Sequence, residues 1–239
     1  MKKILSLMLV LLCMVSMVAC ADNGGTPSTP QQPSTPTTPE ETGGNLDVFA
    51  ASQSTAVPTK IVSLTTYAGK DLYGKNITFS GSFTQVTNGN NSILDYKYDR
   101  FATIDEAADD YIVTVEGAIA VKDGLTKTIG DGVGNNDWVV LIPSAQQMGA
   151  FKLDKTKLPS DYKLSTDSMK LTVSLSKAEA LAVIGVVIDA TGDISLTVES
   201  NGKNISAISI AYTAASGASV KISTSYTYGA QTLDFSRFN

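Results

Sequence analysis

After Cys20 the chain contains no further cysteine, and it has no histidine at any position. No disulfide can therefore brace the fold, so whatever forms beyond residue 20 is held by burial and backbone hydrogen bonding. The same absences remove His-based triads, thiol catalysis, ordinary zinc sites and haem ligation by histidine. Carboxylate chemistry stays open, but no catalytic site can be assigned and a non-enzymatic role is expected, with no metal and no cofactor. The net charge is −5. No basic stripe accompanies it, so nucleic acid is not an expected partner.

The first residues carry an address. Lys2 and Lys3 precede an apolar run from Ile4 to Val15, which falls short of the roughly 20 residues of a membrane span and reads as a secretory signal over residues 1–20. The run closes on Met17-Val18-Ala19-Cys20 and turns polar at once. This tetrapeptide resembles the lipobox of bacterial lipoproteins, with Met17 where leucine is usual. The resemblance implies that Cys20 is diacylated and becomes the new N-terminus. Cys13 lies among apolar residues that make a poor cleavage site. The mature chain, without Lys2 and Lys3, would carry −7. Its expected place is the extracytoplasmic face of a bacterial envelope, anchored to the membrane by two or more acyl chains.

Residues 21–45 form a linker. Pro27, Pro30, Pro33, Pro36 and Pro39 recur every third residue, which matches the three-residue turn of polyproline II. The Thr/Pro part reaches roughly 45 Å at about 3.1 Å per residue. Glycine pairs flank it, so it reads as a stalk that lifts a domain off a membrane.

Residues 46–239 are enough for one domain with its own core. Thr, Ser, Val and Ile dominate it, which favours strands. Ile77, Phe79, Gly81 and Phe83 alternate with polar residues, the period of a half-buried strand. Strands are also expected at 92–101, 111–121 and 137–142, with a turn at 122–124, a weaker strand before a Gly/Asn loop, and one or two strands within 161–175. Thr103-x-x-Glu106 and Ser176-x-x-Glu179 are capping boxes. The second opens a segment, 177–189, that is apolar nearly all round. A helix there would be sandwiched in a core or would line a cavity; a buried strand is the alternative. The tail reads as a meander of four strands, the last at 231–235, with Asn201-Gly202 as a two-residue hairpin turn.

Several motifs weigh little. Ser160-x-x-Lys163 has the spacing of penicillin-interacting serine enzymes, but a strand-like stretch surrounds it and the companion motifs are missing. Asp131, Asn135, Asn136 and Asp137 could offer oxygens to a cation, although the spacing is not that of a calcium loop. Gly130, Gly132 and Gly134 open no helix and make no dinucleotide fingerprint. Tyr96, Tyr98 and Phe101 read as core rather than as a sugar platform.

The stretch from Asp161 to Gly185 and the meander from Asp193 to Phe235, with Tyr228-Gly229 before the last segment, resemble the C-terminal part of the LolA/LppX-like lipid-carrier lipoproteins. The resemblance implies a mostly β fold with minor α: a curved antiparallel sheet, or incompletely closed β-barrel, covered by one or two helices. It also implies a cavity between sheet and helix for an acyl chain or another hydrophobic ligand. Phe79, Phe83, Trp138, Leu181, Ile184 and Val187 are the residues expected to line it. The alternative is a non-catalytic interaction or adhesion module, since the stretch from Asp71 to Phe83 also resembles the opening of an OB-type barrel.

Overall fold

A computed structural model describes residues 44–51, 56–70, 74–101, 112–131, 153–185 and 187–239. Cys20, the signal segment, most of the linker, the Thr103–Glu106 turn, the loop beyond Asp131 and Trp138 with its expected strand lie outside these residues.

Ten strands form one antiparallel sheet. They are β1 (Lys60–Lys70), β2 (Asn76–Asn88), β3 (Asn91–Phe101), β4 (Ile112–Lys122), β5 (Leu125–Gly130), β6 (Lys163–Leu164), β7 (Lys170–Leu175), β8 (Ile194–Ser200), β9 (Ile205–Thr213) and β10 (Ser219–Thr227). Their order is β5-β4-β3-β2-β1-β10-β9-β8-β7-β6. The expected mostly β class with a curved sheet that does not close is what is found. Each half is a simple up-and-down meander. The two halves meet at a central seam, where Lys60 to Ala68 of β1 pair with Ser219 to Thr227 of β10.

Side chains of paired residues share a face, so the register defines two faces. On one, Leu171, Val198, Ile208, Thr224, Ser63, Phe83, Tyr96 and Gly117 form a row from β7 to β4. Two short helices cover the C-terminal half of this face. The first, α1 (Leu46–Ala51), begins where Asn45 Oδ1 accepts from the backbone N–H of Asp47, and it sends Phe49 fully into the core. The second, α2 (Lys177–Ile184), carries the complete Ser176–Glu179 capping box and buries Ala180, Val183 and Ile184. Leu171, Leu175, Ile194, Leu196 and Val198 meet these helices with no accessible surface. Each such aliphatic side chain contributes roughly 1.5–3 kcal/mol by leaving water.

Three expectations need correction. The helix ends at Ile184, well before residue 189. Gly185 takes a left-handed φ of 72° and its N–H closes on Leu181 O, a conformation that costs a side-chain-bearing residue and stops the helix. The Asn201-Gly202 hairpin is a four-residue loop, not a two-residue turn. The Asn201 side chain accepts from the N–H groups of Lys203 and Asn204, and the register shifts beside it at Glu199/Ser200. Residues 231–235 form no strand. β10 is flanked by β9 and β1, so a following segment has no free edge to pair with.

That segment crosses to the opposite face instead. Thr59 Oγ1 donates to Gly229 O (2.6 Å) and Asn88 Nδ2 to Gln231 O (2.9 Å), past the ends of β1 and β2. Leu233, Phe235 and Phe238 then pack on Ile93, Ala118, Ala120 and Ile129 of β3, β4 and β5. The sheet is thus covered on one face by helices under its C-terminal half, and on the other by the C-terminal segment under its N-terminal half.

Candidate functional site: an open groove on the sheet

Of the six residues expected to line a cavity, Trp138 lies outside the described residues, and the other five are not brought together. Ile184 lies in the solid core beneath α2. A wall residue of a ligand cavity must show surface to a water-sized probe, and Leu171, Leu175, Ala180, Ile194, Leu196 and Val198 show none. Leu181 and Val187 point away from that core, 49% and 74% exposed. Phe79 and Phe83 are half-buried on the helix-bearing face. Phe79 makes an edge contact with Phe101 at 4.8 Å and a tilted one with Tyr67 at 6.0 Å. Phe83 pairs with Tyr96, whose hydroxyl is pushed up by burial, with lesser repulsion from Tyr98 and Asp131.

A groove of about 370 Å³ opens on the other face, across β8, β9, β10 and β1. Two rows make its floor. One runs Thr197, Ser209, Ser223, Leu64, and the next runs Glu199, Ala207, Ser225, Val62. Leu64 is 48% exposed and Val62 36%, on the strand at the centre of the sheet. A central strand usually keeps large aliphatics off an uncovered face. Here they stand beside hydroxyls, and the wall is mostly apolar. Glu199 closes one end and is held by Lys170 at 3.0 Å.

Sequence reading passed over this site because β1 was not singled out. The signal lay in the alternation of Ile61, Ser63, Thr65 and Tyr67 with Val62, Leu64, Thr66 and Ala68. Apolar residues fall on both faces, as in a central strand that meets something on each side.

Among the described residues no group of three or more Asp, Glu, His or Cys could hold a metal. The ionisable clusters serve the fold. Burial acts to raise the Asp99 carboxyl, but hydrogen bonds from Thr114 Oγ1 and from Ser80 N and Oγ, all 2.8 Å, outweigh it and hold the group below the usual carboxylate range. The Ser160-x-x-Lys163 spacing falls on a turn leading into β6, so no helix folds the lysine back onto the serine. A second depression, at the start of α2, is ringed by Ser176, Lys177, Thr191 and Asp193.

No protein-family model matches the chain, and no curated protein matches it. Among solved structures, the crystal structure of a LolA superfamily protein from Nitrosomonas europaea is similar, at 11% identity, over 81% of this chain and 95% of that one, with a TM-score of 0.25. A superposition that loose transfers neither a site nor a ligand.

Proposed function

We propose that this protein is a non-catalytic binding protein of the bacterial cell envelope, tethered by acyl chains on Cys20, that holds a hydrophobic ligand such as a lipid or acyl chain against its curved sheet. The observation that carries this reading is the pair Val62 and Leu64, exposed along the β1 side of a groove of about 370 Å³. That volume lies within the roughly 300–1,000 Å³ of small-molecule sites, which are apolar with a few polar groups that orient the ligand. The hydroxyls of Ser209, Ser223, Ser225 and Thr197 can orient a head group, while the aliphatics take the chain. The expected cavity between sheet and helix gives way to this groove, because α2 sits directly on the core.

Native mass spectrometry after lipid extraction and re-exposure tests the binding. The wild-type chain should retain lipid and Leu64→Glu should lose it; retention by both, or by neither, ends the reading. Cys20→Ala should release the protein from the membrane fraction, and persistence there would end the anchoring. The hydroxyl rows also favour a second reading, an interaction or adhesion module that docks a polar partner on this face. A glycan or protein partner that is lost with Ser209→Glu, in the absence of any lipid, would establish it.

A further inference from the structure

The floor row of the groove does not stop at β1. The row that contains Glu199, Ala207, Ser225 and Val62 continues through Thr84, Asp95, Ala118 and Ile129 to β5. One residue, Thr84, separates Val62 in the groove from Asp95, and from Asp95 onward the row is occupied by the C-terminal segment. Arg237 Nη2 reaches Asp95 Oδ1 at 2.5 Å. Phe238 is fully buried over Ala118 and Ala120, and Lys122 Nζ lies 5.4 Å from the Phe235 ring centroid. The floor is small where the ring sits. Two alanines on β4 pack in one cluster with the Phe238 ring.

We infer that residues 233–239 form a displaceable strap over the continuation of the groove's floor row beyond β2, and that a long acyl chain binds by lifting it. This deepens the proposed function and rests on it. The open part spans four strands, about 14 Å at about 4.8 Å per strand, and accommodates a short chain. A longer chain directed along the row meets the strap. The strap belongs to no β-ladder. Its holds on the sheet include an ion pair with each partner's side chain a little over 40% exposed, the Lys122–Phe235 cation–π contact, the apolar packing of Leu233, Phe235 and Phe238 and, just upstream, the Asn88 bond to Gln231. An exposed ion pair of this kind is weak, so the buried Phe238 ring is the main contact that a ligand must replace. A linear apolar ligand replaces the phenylalanine contacts with like contacts, and the short-chain ligand has nothing to displace.

The test is fluorescence titration of the full chain carrying Cys20→Ala with two dansyl fatty acids, one short-chain and one long-chain. A strap open a tenth of the time reduces apparent affinity about tenfold. Phe238→Ala should therefore raise long-chain affinity up to about that amount and leave short-chain affinity unchanged. Arg237→Gln, which removes the ion pair with Asp95 and the guanidinium contact with the Phe238 ring at 5.0 Å but leaves both rings in place, should raise it about threefold. Equal affinities in wild type and in Arg237→Gln for both chain lengths would overturn the strap, whether or not Phe238→Ala folds. A parallel rise for both lengths would overturn it too, since chain length would then be irrelevant. Leu64→Glu separates the two ideas. If it abolishes both probes while the strap variants change neither, only the strap falls. If both probes bind Leu64→Glu as tightly as wild type, the groove itself is wrong.

Discussion

The two halves of the sheet solve one problem in opposite ways. The C-terminal half covers its apolar face with two helices, α2, which follows β7 directly, and α1, which comes from far earlier in the chain. Its core is built from large aliphatics with no accessible surface: Leu171, Leu175, Ile194, Leu196 and Val198. The N-terminal half is covered on the opposite face by a segment more than a hundred residues away, and its floor is Ala118 and Ala120 with one inserted ring. The first arrangement is a packed interior. The second is a single ring seated among small residues, with β2 between it and the exposed Val62 and Leu64 of β1. The difference teaches that one half of a sheet can be closed by large aliphatics under helices while the other is closed by a short segment that inserts a single ring over alanines.

This contrast can be broken by measurement. Leu196→Ala should cost the most, about 3–4 kcal/mol in chemical denaturation, because a solid core cannot collapse around the void. Phe238→Ala removes a larger side chain, yet should cost less, about 2 kcal/mol, because the strap can settle where the core cannot. If the order reverses, the strap is as fixed as the core. Gly185→Ala tests the helix end. Its φ of 72° and the open space around it predict a loss of about 1 kcal/mol that is purely backbone in origin. Ser176→Ala should cost about 1 kcal/mol by deleting the cap of α2, and it should leave the strap half untouched, as hydrogen exchange in β3 and β4 would report.

The smallest effect is one of pH. Hydrogen bonds from Ser176, side chain and backbone, hold Glu179 below its ordinary value. A carboxylate with a depressed folded-state pKa stabilises fully above its unfolded value and loses that contribution as pH falls through the folded one. The wild type should therefore lose stability relative to Glu179→Gln as pH drops below about 4. Denaturation midpoints that shift in parallel for the two proteins would show that the cap carries no charge-dependent part.

Much of the fold was legible in the sequence, because alternation and capping are local signals. β2, β3, β4 and the Lys122–Gly124 turn fall where the pattern puts them, and the Ser176–Glu179 box opens a helix. The helix end was also written locally, at Gly185, but the apolar run beyond it masked the stop. What could not be read was placement. Nothing in residues 231–235 says that β10 has no free edge, since that follows from β1 pairing with it across some 160 positions. Phe79 and Phe83 fall in a strand as the alternation puts them, while the exposed aliphatics of the groove, Val62 and Leu64, stand on the other face.

The seam between β1 and β10 also sets an order of events. Chains are synthesised from the N-terminus, so β1 can pair with β2 early while its other edge stays unsatisfied until nearly the whole protein has emerged. A lone edge of that length invites intermolecular pairing, and contacts so distant in sequence form slowly. The newborn protein therefore passes through an interval in which a half-sheet waits, open-edged and without its strap, for its last strand to arrive.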